Sequence, residues 1–192
     1  MTPVPSWKWL WRYVTGALVI AVLGVRYFAD DAPLAPLQMV ELGIHESGHW
    51  SLIWAPRTIY FLGGTVAQIA VPLAVGAYLA LRMRDPLGGA AGLAWAGLSC
   101  HGAAVYIADA PYERLQLVGG DTHDWAWLLG PDAFDAIGSA GAVAQTVRTM
   151  GVLMVVAAVA WCAVMPVLIS RRGELPRTRV PGMPAPEPPA SD

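Results

Sequence analysis

Cysteine, histidine and charge are all scarce in this chain. Its 192 residues include two cysteines and four histidines, and only 14% of them are charged. Cys100 and Cys162 both lie inside apolar stretches, where each is expected to be a small buried hydrophobe rather than half of a disulfide or a metal pair. The net charge is −2 without a basic patch, which argues against a nucleic-acid partner. The sequence contains neither an internal repeat nor a phosphate-binding glycine loop.

Apolar residues make up 56% of the chain, and the mean hydropathy is +0.48. Four stretches are long and apolar enough to cross the ~30 Å hydrocarbon core of a bilayer as helices. They are Trp9–Phe28, Ile59–Leu81, Leu87–Ala108 and Ala144–Ile169. The sequence therefore predicts an all-α polytopic membrane protein, with a single integral membrane domain over residues 1–170 and the lipid bilayer as its surroundings.

A fifth stretch, Leu37–Ala55, carries His45-Glu46-Ser47-Gly48-His49, which has the H-E-x-x-H pattern. Residues four apart share one face of a helix, so both imidazoles can reach one metal ion. Glu46 lies about 100° further round the helix, within reach of a metal-bound water. Because nitrogen ligands with one position left for water favour zinc, we expect a zinc site with His45 and His49 as ligands and Glu46 as general base.

A second polar cluster, Gly119-Gly120-Asp121-Thr122-His123-Asp124-Trp125, follows the apolar stretch Leu87–Ala108 along the chain. A catalytic zinc needs three protein ligands, and the paired glycines allow this segment to turn back toward the first motif. The candidates for the third ligand are His123, Asp124 and Asp121. We expect His123 to bind the metal and Asp124 to orient it, with Asp124 as the ligand in the alternative.

Two more polar residues fall inside the apolar stretches. Gln68 lies in a segment that begins with Gly63-Gly64, which favours close helix packing, and is expected to bond across helices or to face substrate. His101 is expected to be a satisfied buried histidine or to line the cavity. Together with Asp121, these residues are candidates for the surroundings of the metal or the substrate cavity.

The positions of lysine and arginine bear on the number of full spans. Five full spans with the tail inside would place Lys8 and Arg12 outside, against the positive-inside tendency. Four full spans, with the motif helix re-entrant from the outer side, place Lys8, Arg12, Arg82, Arg84 and the tail arginines inside and are favoured. No small-residue cleavage site follows the first stretch, so it is expected to remain as a membrane helix. Residues 171–192 are basic and Pro-rich and are predicted to be disordered.

The order of these motifs resembles the site-2 protease family of intramembrane zinc metallopeptidases, and more closely a group of small uncharacterised bacterial membrane proteins related to it. The matching pieces are His45–His49, Gly63–Pro72, Tyr106–Ala110 and Gly119–Trp125. In that family, two motif histidines and a distant aspartate hold zinc and the glutamate activates water. The resemblance implies these roles for His45, His49 and Glu46. The family's Asn-Pro-Asp-Gly stretch is absent, and the His123-Asp124 pair takes its place in sequence order.

These features together predict a zinc metalloendopeptidase of the bacterial inner (plasma) membrane that cleaves a membrane protein or peptide. The alternative is a membrane protein that binds a metal or haem through His45, His49 and His101 without hydrolysis. Haem takes axial histidines from opposite sides of its ring, whereas an i, i+4 pair projects to one side, which disfavours haem. A third hypothesis is a non-catalytic scaffold, against which the intact Glu46 argues.

Overall fold

The chain is described here by a computed structural model that covers residues 7–118 and 120–171. These residues form six α-helices and one 3₁₀ turn, and no strand occurs among them, which confirms the predicted all-α class. The α-helices are α1 (Trp7–Phe28), α2 (Ala35–Ser51), α3 (Arg57–Leu81), α4 (Pro86–Asp109), α5 (Asp124–Leu129) and α6 (Ala140–Arg171). The 3₁₀ turn, Ile137–Ser139, leads into α6. The tail predicted to be disordered covers residues 171–192: Arg171 is the last residue of α6, and residues 172–192 lie outside the described part of the chain.

Four segments are long and apolar enough to cross a membrane. They are Leu10–Phe28 of α1, the whole of α3, the whole of α4, and Ile137–Ile169, which consists of the 3₁₀ turn and most of α6. They overlap the four apolar stretches of the sequence, and their number is consistent with a multi-pass membrane protein. Pro72 and Pro166 lie inside helices, which membrane helices tolerate when neighbouring groups satisfy the freed carbonyls.

α4 is the central helix of the bundle. In the most apolar part of α4, 67% of the residues are buried, against 22–28% in the other three spans. The many glycines and alanines of α4 let neighbouring helices approach closely. A Cβ added at Gly92 would overlap the backbone of Gly76 on α3, and one added at Gly97 would crowd Gly151 on α6. Cys100 and Cys162 are both buried and free, as the sequence predicted.

Contacts between the helices show in which direction each one runs through the bundle. Gly16 in α1 packs against Leu87 at the start of α4 and Cys162 late in α6, whereas Phe28 at the end of α1 meets Gly151 early in α6. α3 and α4 form an antiparallel pair joined by a short turn. The start of α1, the α3–α4 turn and the end of α6 therefore lie at one end of the bundle.

The motif helix α2 is shorter than the sequence predicted. The apolar stretch Leu37–Ala55 suggested a helix of membrane length, but α2 has 17 residues and ends at Ser51 before a turn that leads into α3. Pro36 lies in its first turn, where the missing N–H of proline has no cost. α2 runs antiparallel to α3, and the backbones of Gly48 and Gly63 touch. This contact brings the last two turns of α2 against α3.

Candidate metal centre

Three side chains of the types that bind metals converge between the end of α2 and the start of α5. Nε2 of His45 lies 2.9 Å, and Nε2 of His49 3.1 Å, from Oδ2 of Asp124. The two Nε2 atoms are 3.1 Å from each other. All three side chains are buried, and together they form a group that could hold a metal ion.

The local sequence explains how α2 presents both imidazoles. His45 and His49 are one helical turn apart and therefore project from the same face. α3 meets this face at Gly64, where an added Cβ would overlap Nε2 of both histidines. The glycine pair that indicated close helix packing thus also leaves room for the two rings.

Asp124 reaches the histidines because α5 is held against two of the long helices. The backbone N–H of Asp124 donates to the Tyr106 hydroxyl of α4 at 3.1 Å. Nε1 of Trp125 donates to Oγ1 of Thr65 on α3 at 3.0 Å. These two bonds fix the first turn of α5 between α3 and α4, with the Asp124 carboxylate directed at α2.

Hydrogen bonds on the far side of each ring determine its tautomer. Nδ1 of His49 lies 2.8 Å from the backbone carbonyl of Tyr60 and must carry the proton, since a carbonyl only accepts. Nδ1 of His45 lies 3.2 Å from Oε1 of Gln68, whose amide nitrogen donates to the carbonyl of Ser99 at 3.4 Å. In neutral rings held this way, the Nε2 lone pairs face Asp124.

The electrostatics of the group suit a cation. Burial by itself raises the pKa of Asp124, but His45 and His49 rings that are protonated at Nε2 donate to its carboxylate and hold the pKa below its usual range. The carboxylate is therefore charged near neutral pH. When both rings are instead neutral with the proton on Nδ1, the carboxylate and two imidazole lone pairs meet at 2.9–3.1 Å and repel one another unless a positive charge lies among them.

A cavity of about 810 Å³ opens beside this group, bounded by α2, α4 and the segment before α5. Glu46, the predicted general base, is half-buried and lines the cavity together with both histidines. The acidic residues of the lining are Asp31, Glu41, Glu46, Asp121 and Asp124. No lysine or arginine belongs to the described lining, so the charged side chains around the cavity are carboxylates.

His123, the residue expected to be the third ligand, lies outside the metal group. Its ring is buried and stacked on Tyr106, with 4.1 Å between the ring centroids. Its Nδ1 accepts the backbone N–H of Ala126 at 3.2 Å, and burial lowers the pKa of this imidazole. The structure instead brings Asp124, the alternative ligand, to the two histidines. Gln68 and the Tyr60 carbonyl occupy the orienting positions that the sequence suggested for Asp124.

The other predicted residues take separate positions. Gln68 is buried and contacts His45, as described above. His101 is buried, with Nε2 3.1 Å from Asp31 and Nδ1 3.2 Å from a guanidinium nitrogen of Arg148, so it lines the cavity but has partners of its own. Asp121 is exposed and lines the cavity without joining the group of His45, His49 and Asp124.

Three residues of the site carried no assigned role in the sequence. Tyr60 contributes its backbone carbonyl, a group that every residue has, so its residue type gave no indication of this role. Tyr106 appeared only as part of a matching motif. Glu41 lies four residues before His45 and hence on the same helix face, so helical spacing alone would have indicated it. Glu41 is buried and accepts the Ser99 hydroxyl at 2.9 Å.

Comparisons with models of protein families, with curated proteins and with solved structures found no match to this chain.

Replacing Gly64 with alanine is expected to remove most of the bound metal. The added methyl group overlaps Nε2 of both His45 and His49, so the rings must turn away from Asp124. Displacement of the two rings should lower the metal affinity by at least ~10-fold, because loss of a group that only orients a metal ligand already lowers it by ~10–100-fold. Elemental analysis of detergent-purified protein measures the change.

Gly43→Ala is the matched control, because Gly43 is an exposed glycine of α2 where an added Cβ meets no atom within 4 Å. Alanine also favours the helix, so this variant should retain the wild-type metal content. Equal metal contents in Gly64→Ala and Gly43→Ala would mean that the contact at Gly64 is not needed.

Proposed function

We propose that this protein is a membrane-embedded zinc metallopeptidase that hydrolyses a peptide bond with a zinc-activated water. One observation carries the proposal: the ligand atoms of His45, His49 and Asp124 lie 2.9–3.1 Å apart at a cavity that Glu46 also lines. Two imidazoles, one carboxylate and a further glutamate beside them are the residue types of a hydrolytic zinc centre.

Zinc suits this donor set better than calcium or magnesium, which prefer oxygen ligands throughout. Donor atoms ~2.0–2.1 Å from a tetrahedral ion lie ~3.3–3.4 Å from one another. The separations in this group are a little shorter, so a small outward movement of the side chains would accommodate the ion. Three protein ligands leave the fourth position for water, as in catalytic rather than structural zinc sites.

When bound, zinc lowers the pKa of a water molecule and polarises the carbonyl of the substrate. The Tyr60 carbonyl and Gln68 keep Nδ1 of the two histidines protonated, so that their Nε2 atoms remain ligands. The Glu46 carboxylate takes a proton from water as the water oxygen bonds to the carbonyl carbon. It then passes that proton to the amide nitrogen as the C–N bond breaks, which yields a carboxylic acid and an amine.

The proposal includes a location for the site near the outer face of the membrane. The α3–α4 turn with Arg82 and Arg84 lies at the same end of the bundle as the start of α1 and the end of α6. The positive-inside tendency favours the cytoplasm for that end. Tyr106, in the last turn of α4, contacts both His45 and Asp124, so the metal group lies toward the opposite end.

α2 would then be a re-entrant helix that enters the membrane from its outer side without crossing it. Trp50 and Trp54, at its end, are 78% and 80% exposed, and tryptophan is enriched at the boundary between lipid and water. Met39 and Ile53 are also exposed, as an apolar surface in lipid would be. This arrangement gives four full spans and one embedded helix.

The resemblance to site-2 proteases supports the same reading, because two histidines and a distant aspartate hold zinc in that family. Asp124 supplies the aspartate here. The resemblance also suggests the bacterial inner (plasma) membrane as the location and a membrane protein or peptide as the substrate.

The direct test is the metal content of the protein. We expect about one zinc per chain after purification in detergent without chelators, since the site has three protein ligands. His45→Ala with His49→Ala should abolish this binding. Elemental analysis that finds no transition metal in the wild-type protein would contradict the proposal, and a Soret band in its visible absorption spectrum would favour haem instead.

A further inference from the structure

His123 has an environment that suits a structural task rather than metal binding. Its side chain is 1% exposed and lies directly before Asp124 in the chain. Because the backbone N–H of Ala126 donates to Nδ1, the proton of the neutral ring is on Nε2. That nitrogen is buried, lies 3.6 Å from Oδ2 of Asp109, and makes no hydrogen bond. Neither ring nitrogen is directed at the metal group.

The bond to Ala126 makes His123 the N-cap of α5. Ser, Thr, Asp and Asn usually fill this position, since their oxygens accept the free N–H groups of the first turn. α5 has six residues, and so short a helix has little stability of its own. Its first turn therefore depends on the cap and on contacts with neighbouring helices.

The ring of His123 also joins α5 to α4. It stacks on Tyr106 with an interplanar angle of 18°, and the hydroxyl of the same tyrosine accepts the backbone N–H of Asp124. Tyr106 further makes an edge-to-face contact with His45, with 5.9 Å between the ring centroids. One tyrosine thus touches the cap, the backbone of Asp124 and a metal-binding histidine.

We propose that His123 is a positioning residue of the metal centre: by capping α5 and stacking on Tyr106, it holds the Asp124 carboxylate against His45 and His49 without binding the metal. This inference rests on the proposed metal centre and extends it. It assigns a role to the only histidine of the second sequence cluster and explains why Asp124, its neighbour, is available as the ligand.

The test compares binding of Co²⁺, a coloured substitute for zinc, to the full chain and two variants in detergent. His123→Ala removes both the cap and the stacked ring, and should weaken Co²⁺ binding by ~10–100-fold, as loss of groups that orient ligands does. The ligand-field absorption bands of the cobalt that still binds should keep their wild-type positions, because the three ligands are unchanged.

His123→Asn is the variant that distinguishes a cap from a ligand. Asparagine is among the best N-cap residues, so this variant should recover much of the lost affinity with the wild-type spectrum. Circular dichroism and gel filtration would establish that both variants are folded.

The outcomes separate this inference from the proposed function. Cobalt bands that shift in both variants, without recovery by asparagine, would make His123 a ligand and overturn the inference. Wild-type affinity in a folded His123→Ala variant would also overturn it, and the metal centre would stand. A wild-type chain that binds neither Co²⁺ nor Zn²⁺ would remove the metal centre, and the role of His123 with it.

Discussion

Glu46→Gln is expected to slow hydrolysis by ~10²–10⁴-fold, the usual contribution of a general base, while zinc remains bound. Glutamine retains the size and polarity of glutamate but cannot take a proton from water. Glu46 is not among the three side chains that form the metal group, so zinc content should stay at the wild-type level. This combination of lost activity and retained metal is characteristic of a catalytic base.

The measurement does not require a known substrate. Wild-type protein and Glu46→Gln would be expressed at equal levels, and new protein N-termini in the membranes would be labelled and identified by mass spectrometry. Glu113→Gln is the control, because it removes one exposed carboxylate that lies outside the cavity lining. Cleavage products that persist at the same rate in Glu46→Gln would reject Glu46 as the base. Zinc binding without any wild-type cleavage would support the non-catalytic metal-binding alternative.

Asp124→Asn is expected to lower zinc affinity by more than ~100-fold, since removal of groups that only orient ligands already costs ~10–100-fold. The variant keeps the shape of the side chain and the backbone N–H that donates to Tyr106. It loses the negative charge that would balance a cation held by His45 and His49. Competition with a coloured zinc chelator measures the affinity.

Asp121→Asn is the control for this experiment. Asp121 is an exposed aspartate three residues earlier in the same segment and does not belong to the metal group. This variant should bind zinc as the wild-type protein does. If the two variants lose affinity equally, general loss of negative charge around the cavity is responsible, and Asp124 is not a ligand.

Much of the fold was predictable because membrane helices leave a strong sequence signal. A segment that crosses a bilayer must be long, apolar and internally hydrogen-bonded, so the four spans were visible in the sequence. α2 was harder to predict, because its apolar stretch continues past Ser51 while its helix does not. α5 was not predicted, since six residues carry too little periodicity to be recognised.

Within the site, the pairing of His45 and His49 was predictable without knowledge of the fold. Helical periodicity places residues four apart on one face in any fold, so this pair needs no partner element to bring it together. The same reasoning puts Glu46 to one side of the pair. Gly63 and Gly64 likewise indicated close packing of their helix, although their contact with the motif helix depends on the fold.

The choice between His123 and Asp124 depends on how α5 packs in the folded chain. Both residue types bind zinc, and adjacent residues have nearly the same distance along the chain from the first motif, so sequence spacing cannot separate them. The choice follows from the start of α5: His123 is its cap and stacks on Tyr106, whereas Asp124 begins the helix and is directed at α2. Contacts among α2, α4 and α5, which are far apart in sequence, set that geometry.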